Sequence, residues 1–265
     1  MTSTPARAAK RTTLWVGYKV HFTQTCDEDV PQLITHVETT PAPLSDEGML
    51  SAIHSGLAEK DLLPDQHLVD AGYVTSANLV KAQTGYEVDL VGPTLKTHWY
   101  QAETGYDLTH FSIDWEAETV TCPQGRISSS WTPVQDAGKS LIKVKFSISD
   151  CKSCPTRSSC TGTTRRSMTL HPREQMQALF TARSRESTDA FKDTYRHRAG
   201  IEGTHSQAVR TMGLRRSRSI GLRKTHLGHV AVAAANVIQL MSWLRGEAPE
   251  QTRTSAFKRV MEQAA

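Results

Sequence analysis

The sequence has no long apolar run and few cysteines, and these shortages exclude several classes of protein. Its most apolar stretch, residues 230–244, is shorter than the ~20 residues that a membrane span needs, and it contains Asn236 and Gln239. The opening residues are polar and basic and lack the charged-then-apolar pattern of a signal peptide. Five cysteines in such a chain are more often metal ligands or buried thiols than disulfides. We therefore expect a soluble, cytoplasmic protein with no membrane span.

Acidic residues are missing from one stretch of the chain. The net charge of +4 is too small to indicate a partner, but residues 203–222 contain no Asp or Glu. Six cations lie in or beside this stretch: Arg210, Arg215, Arg216, Arg218, Arg223 and Lys224. As a cluster without counter-charges they favour binding to a DNA phosphate backbone. For any single arginine, a solvated helix end that complements the helix dipole is the stronger interpretation.

Hydrophobic periodicity predicts a mixed α/β protein. Residues 1–13 show no apolar periodicity and are predicted to be a disordered lead. Strands are predicted over residues 14–22, 33–39, 67–70 and 88–92, and helices over residues 46–58 and 76–84. Two antiparallel strands followed by strand, helix and strand indicate a mixed α/β sheet.

The second half of the chain changes character twice. Residues 93–170 are rich in Thr, Ser, Gly and Trp and are predicted to be a β-rich insertion. Helices are predicted near residues 172–194, 195–214 and 222–244, and the last is predicted to be buried because it is apolar on nearly every face. On that helix, His226 and His229 are spaced for a metal, but packing or hydrogen bonding is the stronger prediction. Residues 247–265 are predicted to be a tail.

Four of the five cysteines have the spacing of a metal site. Cys122 is followed, after a gap of 28 residues, by Cys151-x2-Cys154-x5-Cys160. Four thiolates satisfy a closed tetrahedral zinc site. A small β-rich segment would gain folding free energy from a metal ion that links its parts in this way. Four reduced cysteines, a vestigial site and an iron–sulfur cluster stay open as alternatives, although the spacing matches no ferredoxin pattern. Cys26 stands apart and is predicted to be a small buried hydrophobe.

One carboxylate comes at the end of a predicted strand. Asp70 ends the segment 67–70 and is followed by Ala71 and Gly72. A carboxylate at this edge of a sheet is rigidly held yet open to a cleft, which suits a metal ligand. An aspartate that forms a turn before glycine is the alternative, and on this feature alone it is the stronger one.

A second carboxylate shares a helix face with a tyrosine and an arginine. At roughly 100° per residue, Tyr195, Arg198 and Glu202 fall within about 60° of one another on a helix. Such a stripe alone indicates a solvated helix surface. However, Gly200 and Gly203 flank the glutamate at a cost of roughly 1 kcal/mol each in helix propensity, which indicates a close approach to the backbone.

These motifs together resemble those of bacterial insertion-sequence DDE transposases. Asp70-Ala71-Gly72-Tyr73 resembles the second-aspartate motif of that family, and Tyr195-x2-Arg198-x3-Glu202 resembles its Tyr-Arg-Glu signature. The Gly-Tyr-Lys-Val-His run at residues 17–21 and the Gly-Leu-Arg-Arg run at residues 213–216 also resemble family segments. The resemblance spans about residues 14–245. It implies an RNase H-like core over residues 14–92 and 171–246, with a five-stranded mixed sheet flanked by helices.

The resemblance also implies a reaction, which is DNA transposition. Two Mg²⁺ or Mn²⁺ ions would assist cleavage of a phosphodiester and transfer of the strand, and such hard cations take oxygen ligands. Asp70 and Glu202 would be two of three ligands, Arg198 would orient Glu202 or clamp a phosphate, and Tyr195 would contact DNA. The implied partners are the transposon ends, the target DNA, and either a second copy of the chain or an intact transposase.

The sequence departs from the family pattern at two places. The first catalytic aspartate should lie on a central strand before residues 17–21, yet the first acidic residue here is Asp27, and Asp27 and Glu28 are predicted to lie in a loop. A lysine six or seven residues after the glutamate is replaced by Ala208 and Val209, for which Arg210 or His205 could substitute. We therefore expect a truncated core without its first strand, or a chain with a mis-assigned start. The alternative function is a non-catalytic remnant that binds DNA or transposase.

Overall fold

The computed structural model describes residues 6–10, 13–95 and 104–246 of the chain. These residues belong to two compact units: unit 1 is built from Met1–Pro64 and Asp189–Ala265, and unit 2 from Asp65–Thr188. Both contain helices and small sheets, which confirms the predicted mixed α/β composition. The predicted tail lies outside the described residues.

The described residues form ten strands and nine α-helices. The strands are β1 (Ala6–Lys10), β2 (Thr13–Gln24), β3 (Ile34–Pro41), β4 (Gln66–Leu68), β5 (Asp89–Val91), β6 (Ser112–Asp114), β7 (Thr119–Thr121), β8 (Ser130–Asp136), β9 (Lys139–Lys145) and β10 (Ser167–Leu170). The helices are α1 (Leu50–Ala58), α2 (Ser76–Tyr86), α3 (Ile148–Lys152), α4 (Arg157–Cys160), α5 (Arg173–Glu186), α6 (Asp189–Tyr195), α7 (Ala199–Thr211), α8 (Leu222–Val230) and α9 (Ala235–Leu244).

The sheet of unit 1 is antiparallel, in the order β1-β2-β3. The predicted strands at residues 14–22 and 33–39 are confirmed by β2 and β3. The prediction of a disordered lead is wrong for Ala6–Lys10, which pairs with the start of β2. Backbone pairing in a hairpin needs no apolar alternation, so the periodicity of the side chains could not indicate this strand.

Helices cover β3 from both sides. Helix α1 turns Leu50, Ile53 and Leu57 inward, at helical spacing, and packs against β3. A second cluster joins Ile34 and Val37 of β3 to Ala208 of α7 and to Val232.

The last helical segment contradicts the sequence-based expectation of burial. Residues 222–244 run through α8, a short 3₁₀ turn and α9, yet only a stripe containing Thr225, His229, Val232 and Ala235 is buried. Leu227 is 71% exposed and Val237 65% exposed. Apolar composition shows how much surface could be buried but not how much of it finds a partner, and here β3 accepts one stripe. By length and composition alone, Leu222–Leu244 could also cross a membrane.

Unit 2 begins with the predicted strand, helix and strand. Strands β4 and β5 are parallel, with Leu68 opposite Val91. Helix α2 joins them, and its N-terminus is capped by the hydroxyl of Thr75, which accepts from the backbone N–H of Asn78. Val88, Leu90 and Val91 are buried, as expected for a parallel strand with few polar positions.

The rest of unit 2 is rich in short strands, as the composition of residues 93–170 predicts. Strands β6 and β7 form a hairpin, and β8, β9 and β10 form an antiparallel sheet. Their core contains Phe111, Val120, Val144, Phe146 and Leu170. The short helices α3 and α4, which carry Cys151 and Cys160, were not predicted.

The strands are hydrogen-bonded in four small sheets rather than one. The antiparallel pair β2–β3 and the parallel pair β4–β5 have the predicted directions. However, no strand within the described ranges pairs with both β2 and β4. The described strands therefore do not form the five-stranded mixed sheet implied by the resemblance as a single sheet.

Acid should destabilise unit 1 through its buried histidines. Burial is the largest cause that lowers the pKa of His21, His36, His54 and His229 below the ordinary value of 6.5. The unfolded chain therefore binds more protons below pH 6.5, so this stability is complete above that pH and is lost as the pH falls through the folded pKa values. Urea unfolding followed by circular dichroism should give a smaller unfolding free energy at about pH 5.5 than at about pH 7.5.

The variant His54→Gln removes one of these groups and should reduce the pH dependence. Equal unfolding free energies across this range in the unaltered chain would contradict the prediction.

Candidate active site

Asp70 stands just beyond the end of a parallel strand, as the sequence predicts. The backbone N–H of Val69 donates to the carbonyl of Val91 at 2.8 Å, which extends the β4–β5 pairing to the residue before Asp70. The carbonyl of Asp70 accepts from the backbone N–H of Tyr73 at 2.9 Å, which closes a turn. Asp70 is exposed, whereas Val69 and Val74 are buried on either side of it. A rigid backbone thus presents an exposed carboxylate.

Gly92 secures this turn, a role that the sequence did not indicate. A Cβ atom at Gly92 would lie 2.4 Å from the carbonyl oxygen of Val69 and 2.9 Å from Cγ2 of Val74. Both contacts are far inside van der Waals distance. Only glycine therefore lets the end of β5 pass this close to the residue before Asp70.

Tyr195, Arg198 and Glu202 meet on one helical face. Tyr195 ends α6, Arg198 lies in the 3₁₀ turn that follows, and Glu202 lies in the first turn of α7. Nη1 of Arg198 is 3.2 Å from Oε1 of Glu202, and its guanidinium carbon is 6.0 Å from the centroid of the Tyr195 ring. The Arg198 side chain is 18% exposed and that of Glu202 is 73% exposed. The arginine is thus held in place while the carboxylate faces solvent.

The two glycines beside Glu202 differ in their surroundings. A Cβ atom at Gly200 would lie 2.8 Å from both terminal atoms of the Gln32 side chain, whereas a Cβ at Gly203 would meet nothing within 4 Å. At Gly200 the close neighbour is therefore a protein side chain, whereas the protein leaves the surroundings of Gly203 open. Gln32 in turn accepts from Gln24 at 3.2 Å, and Gln24 accepts from Thr204. No sequence motif indicated these glutamines.

Glu28, one of the two acidic residues nearest in sequence to the expected first aspartate, lies beside basic side chains. Glu28 lies in the loop between β2 and β3, as predicted, and its side chain is 73% exposed. Its Oε1 atom is 3.8 Å from Nε2 of His197 and 4.0 Å from Nη2 of Arg196. Of the two candidates to replace the family lysine, His205 packs against Phe22, and Arg210 is exposed in the last turn of α7.

The candidate ligands belong to different units. Asp70 lies in unit 2, whereas Tyr195, Arg198 and Glu202 lie in unit 1. Within the described ranges, no three or more His, Cys, Asp or Glu side chains are grouped so that they could hold a metal ion.

The cations of the basic stretch all face solvent. All six cations (Arg210, Arg215, Arg216, Arg218, Arg223 and Lys224) are exposed, and none forms an ion pair within the described part of the chain. Arg215, Arg216 and Arg218 lie in the irregular segment between α7 and α8, which the Tyr18 hydroxyl contacts by accepting from the backbone N–H of Gly221. Arg223 and Lys224 occupy the first turn of α8, where a helix dipole disfavours cations. A favourable interaction with a helix dipole therefore accounts for only one of the six cations, Arg210 in the last turn of α7.

The four clustered cysteines converge, whereas the fifth does not. Cys122, Cys151, Cys154 and Cys160 are partly buried and line one cavity of about 30 Å³ in unit 2. Burial, and then the three other thiols, raise the pKa of Cys160, while Arg166 opposes them. Cys26 lies in unit 1, where burial raises the pKa of its thiol.

The histidines of α8 form hydrogen bonds, as predicted. The hydroxyl of Thr39 is 3.0 Å from Nδ1 of His226 and 2.8 Å from Nδ1 of His229. These hydrogen bonds connect α8 to β3.

One protein family model is similar to part of the chain. Residues 121–241 match the family model described as Transposase DDE domain. The matched segment includes the cysteine cluster, Glu202 and the basic stretch, whereas Asp70 lies before it. No curated protein and no solved structure matches the chain.

Replacing Gly92 by alanine should disturb the turn that presents Asp70. The added methyl group would collide with the backbone at Val69, which cannot rotate away as a side chain can, so we expect a loss of about 1–3 kcal/mol in unfolding free energy. Urea unfolding measures the loss, and hydrogen exchange at the Val69 amide should accelerate.

Gly85→Ala is the matched control, because it lies in α2 of the same unit with nothing within 4 Å of the added Cβ. It should be neutral or stabilising by up to about 1 kcal/mol. An equal loss in both variants would refute the role of Gly92.

Proposed function

We propose, from the match of residues 121–241 to the family model described as Transposase DDE domain, that this chain is a transposase catalytic-core portion that cleaves DNA and transfers the strand with divalent metal ions. The observation that carries the proposal is the contact of Arg198 with Glu202 beside Tyr195, which lies inside the matched segment. This contact supports the proposal because the resemblance implies a tyrosine, an arginine and a glutamate at this spacing.

The carboxylates suit a hard metal ion. Mg²⁺ and Mn²⁺ take oxygen ligands, and Mg²⁺ commonly keeps waters and takes one or two carboxylates together with substrate phosphates. Asp70 and Glu202 are exposed carboxylates on ordered backbone, so both fit such a role. Asp70 and Glu202 would hold such ions, which would supply activation of the attacking oxygen and stabilisation of the leaving one in an in-line displacement at phosphorus.

The proposed role of Arg198 is to position groups of the active site rather than to stabilise the fold. An ion pair with so exposed a carboxylate contributes at most about 1 kcal/mol to folding. Yet the Arg198 side chain is held against the Tyr195 ring, and this ring stacks on Phe191 with centroids 5.4 Å apart. A guanidinium fixed in this way can orient the carboxylate of Glu202 and donate to a DNA phosphate, as planar bidentate donors do.

The basic stretch is the proposed DNA-binding segment. Exposed cations without acidic partners release counterions when they meet phosphates, so DNA affinity should fall steeply with added salt. Transposon ends and target DNA are the proposed partners, in the cytoplasm and not at a membrane. A second copy of the chain or an intact transposase is the proposed protein partner, which the exposed apolar side chains of α8 and α9 support.

A non-catalytic remnant is the second candidate. It is favoured by the position of the first acidic residues, since Asp27 and Glu28 follow β2 and Glu28 lies beside Arg196 and His197. With Asp70 and Glu202 alone, the set of three metal-binding acids would be incomplete. Such a chain would bind DNA or an intact transposase without cutting.

Removal of either carboxylate should abolish cleavage. In a Mg²⁺-dependent assay on DNA with terminal inverted repeats, Asp70→Asn and Glu202→Gln should each lower the rate at least about 100-fold, because a metal ligand supplies several kcal/mol. Asp65→Asn and Glu174→Gln are matched controls on exposed acids and should cleave normally. A chain that binds DNA in a salt-dependent way but never cuts would favour the remnant.

Arg198 should be sensitive even to a conservative change. Lysine keeps the charge but not the planar fork, so Arg198→Lys should slow cleavage about 10-fold or more and raise the Mg²⁺ concentration needed for half-maximal rate. Arg196→Lys changes a neighbouring side chain that is 66% exposed and should alter neither quantity. Equal effects in both variants would show that Arg198 has no special part in the site.

A further inference from the structure

We propose that Cys122, Cys151, Cys154 and Cys160 bind one Zn²⁺ as four thiolates, and that the buried Arg166 compensates the negative charge of that site. This site lies in unit 2 and is independent of the proposed function in DNA cleavage.

Three separate local structures bring the cysteines together. Cys122 follows β7 and opens a tight turn, in which its carbonyl accepts from the backbone N–H of Gly125 and its own N–H donates to the carbonyl of Arg126, both at 2.8 Å. Cys151 lies in α3, Cys154 follows that helix, and Cys160 ends α4. The shared cavity of about 30 Å³ is of the size that a single water or ion occupies.

Arg166 is the observation that points to an anion. It is 7% exposed, and its guanidinium donates to the carbonyls of Cys160 at 3.0 Å and of Tyr106 at 3.4 Å. Its guanidinium carbon lies 5.4 Å from the ring centroid of Phe111, and its buried Nε has no hydrogen-bond partner. Arg166 forms no ion pair within the described part of the chain. A buried charge without a counter-charge is strongly unfavourable.

The remaining charges around the cavity strengthen the case. Arg126 and Arg157 also line it, and Asp150 is the one carboxylate there. Three arginines and one aspartate therefore line the cavity together with the four thiols. Four thiolates around Zn²⁺ carry two net negative charges, which would balance this excess. Each cysteine that binds the metal releases its thiol proton to solvent, so the uptake of one Zn²⁺ frees four protons when all four thiols start protonated.

Packing of the thiols against the hydrophobic core is the rival explanation for the cysteine cluster. Cys122, Cys151 and Cys160 lie against the core of Phe111, Val120, Val144, Phe146 and Leu170, and small thiols fill such places well. The sulfur atoms do not stand in the arrangement of a metal site, so binding requires rotations of the cysteine side chains about their Cα–Cβ bonds. Packing explains three of the cysteines, but it explains neither Cys154 at the same cavity nor the buried arginine.

Metal analysis of the full chain, purified under reducing conditions and supplied with ZnCl₂, tests the proposal. We expect about one Zn²⁺ per chain and a melting temperature that falls after removal by a chelator. With Co²⁺ instead, the visible absorption should be that of tetrahedral thiolate coordination. Cys154→Ser should weaken Zn²⁺ binding about 100-fold or more, whereas Cys26→Ser, the matched control in unit 1, should leave it unchanged.

Arg166 is tested separately. Arg166→Met should weaken Zn²⁺ binding about 10-fold, whereas Arg166→Lys, which keeps the charge, should restore most of it. A chain that takes up neither Zn²⁺ nor Co²⁺, or that contains iron and acid-labile sulfide instead, would overturn the zinc site. If the Cys154 variant does not fold, the Co²⁺ spectrum of the unaltered chain decides the matter.

Discussion

Unit 1 depends on one strand, β3, which helices cover on both of its faces. Its burial is nearly continuous from Ile34 to Thr40, without the alternation of a strand that has one solvated face. Asn236 of α9 binds the strand through its side-chain amide, donating to the carbonyl of Ile34 and accepting from its N–H, both at 2.8 Å. Because α7 packs on the same strand through Ala208, the helix that carries Glu202 is fixed by β3.

In unit 2 the position of Asp70, the candidate metal ligand, is fixed by a close backbone contact. Gly92 passes the carbonyl of Val69 at a distance that admits no side chain, and Val69 immediately precedes Asp70. In both units, therefore, an exposed carboxylate stands on backbone that is held by buried neighbours. This combination is what a metal ligand needs, since coordination demands a fixed position as well as access to solvent and substrate.

Charge without a partner recurs in the molecule, in two physical settings. Along residues 210–224 the cations are exposed, so water and salt screen their charges. Leaving them without an acidic partner therefore costs little folding free energy, and they stay accessible to a polyanion. Arg166 is buried, where the same lack of a partner costs far more. The first setting is suited to reversible binding of DNA, and the second to a permanently bound anionic site. Both sets contain arginine, so it is the difference in burial that assigns the exposed residues to DNA and Arg166 to the thiolate site.

The amino-acid sequence by itself determined the local elements and the helix face shared by Tyr195, Arg198 and Glu202, because periods of 2 and 3.6 residues are properties of the backbone. It also determined the cysteine spacing and the basic stretch. Only the tertiary structure decided that the described strands divide into four sheets and that Leu227 and Val237 stay exposed on an apolar helix. Only the tertiary structure, too, placed Gln32 against Gly200, Gly92 against Val69, and Arg166 at the cysteine cavity. These outcomes depend on which surfaces meet across long sequence separations, and periodicity along the chain carries no information about that.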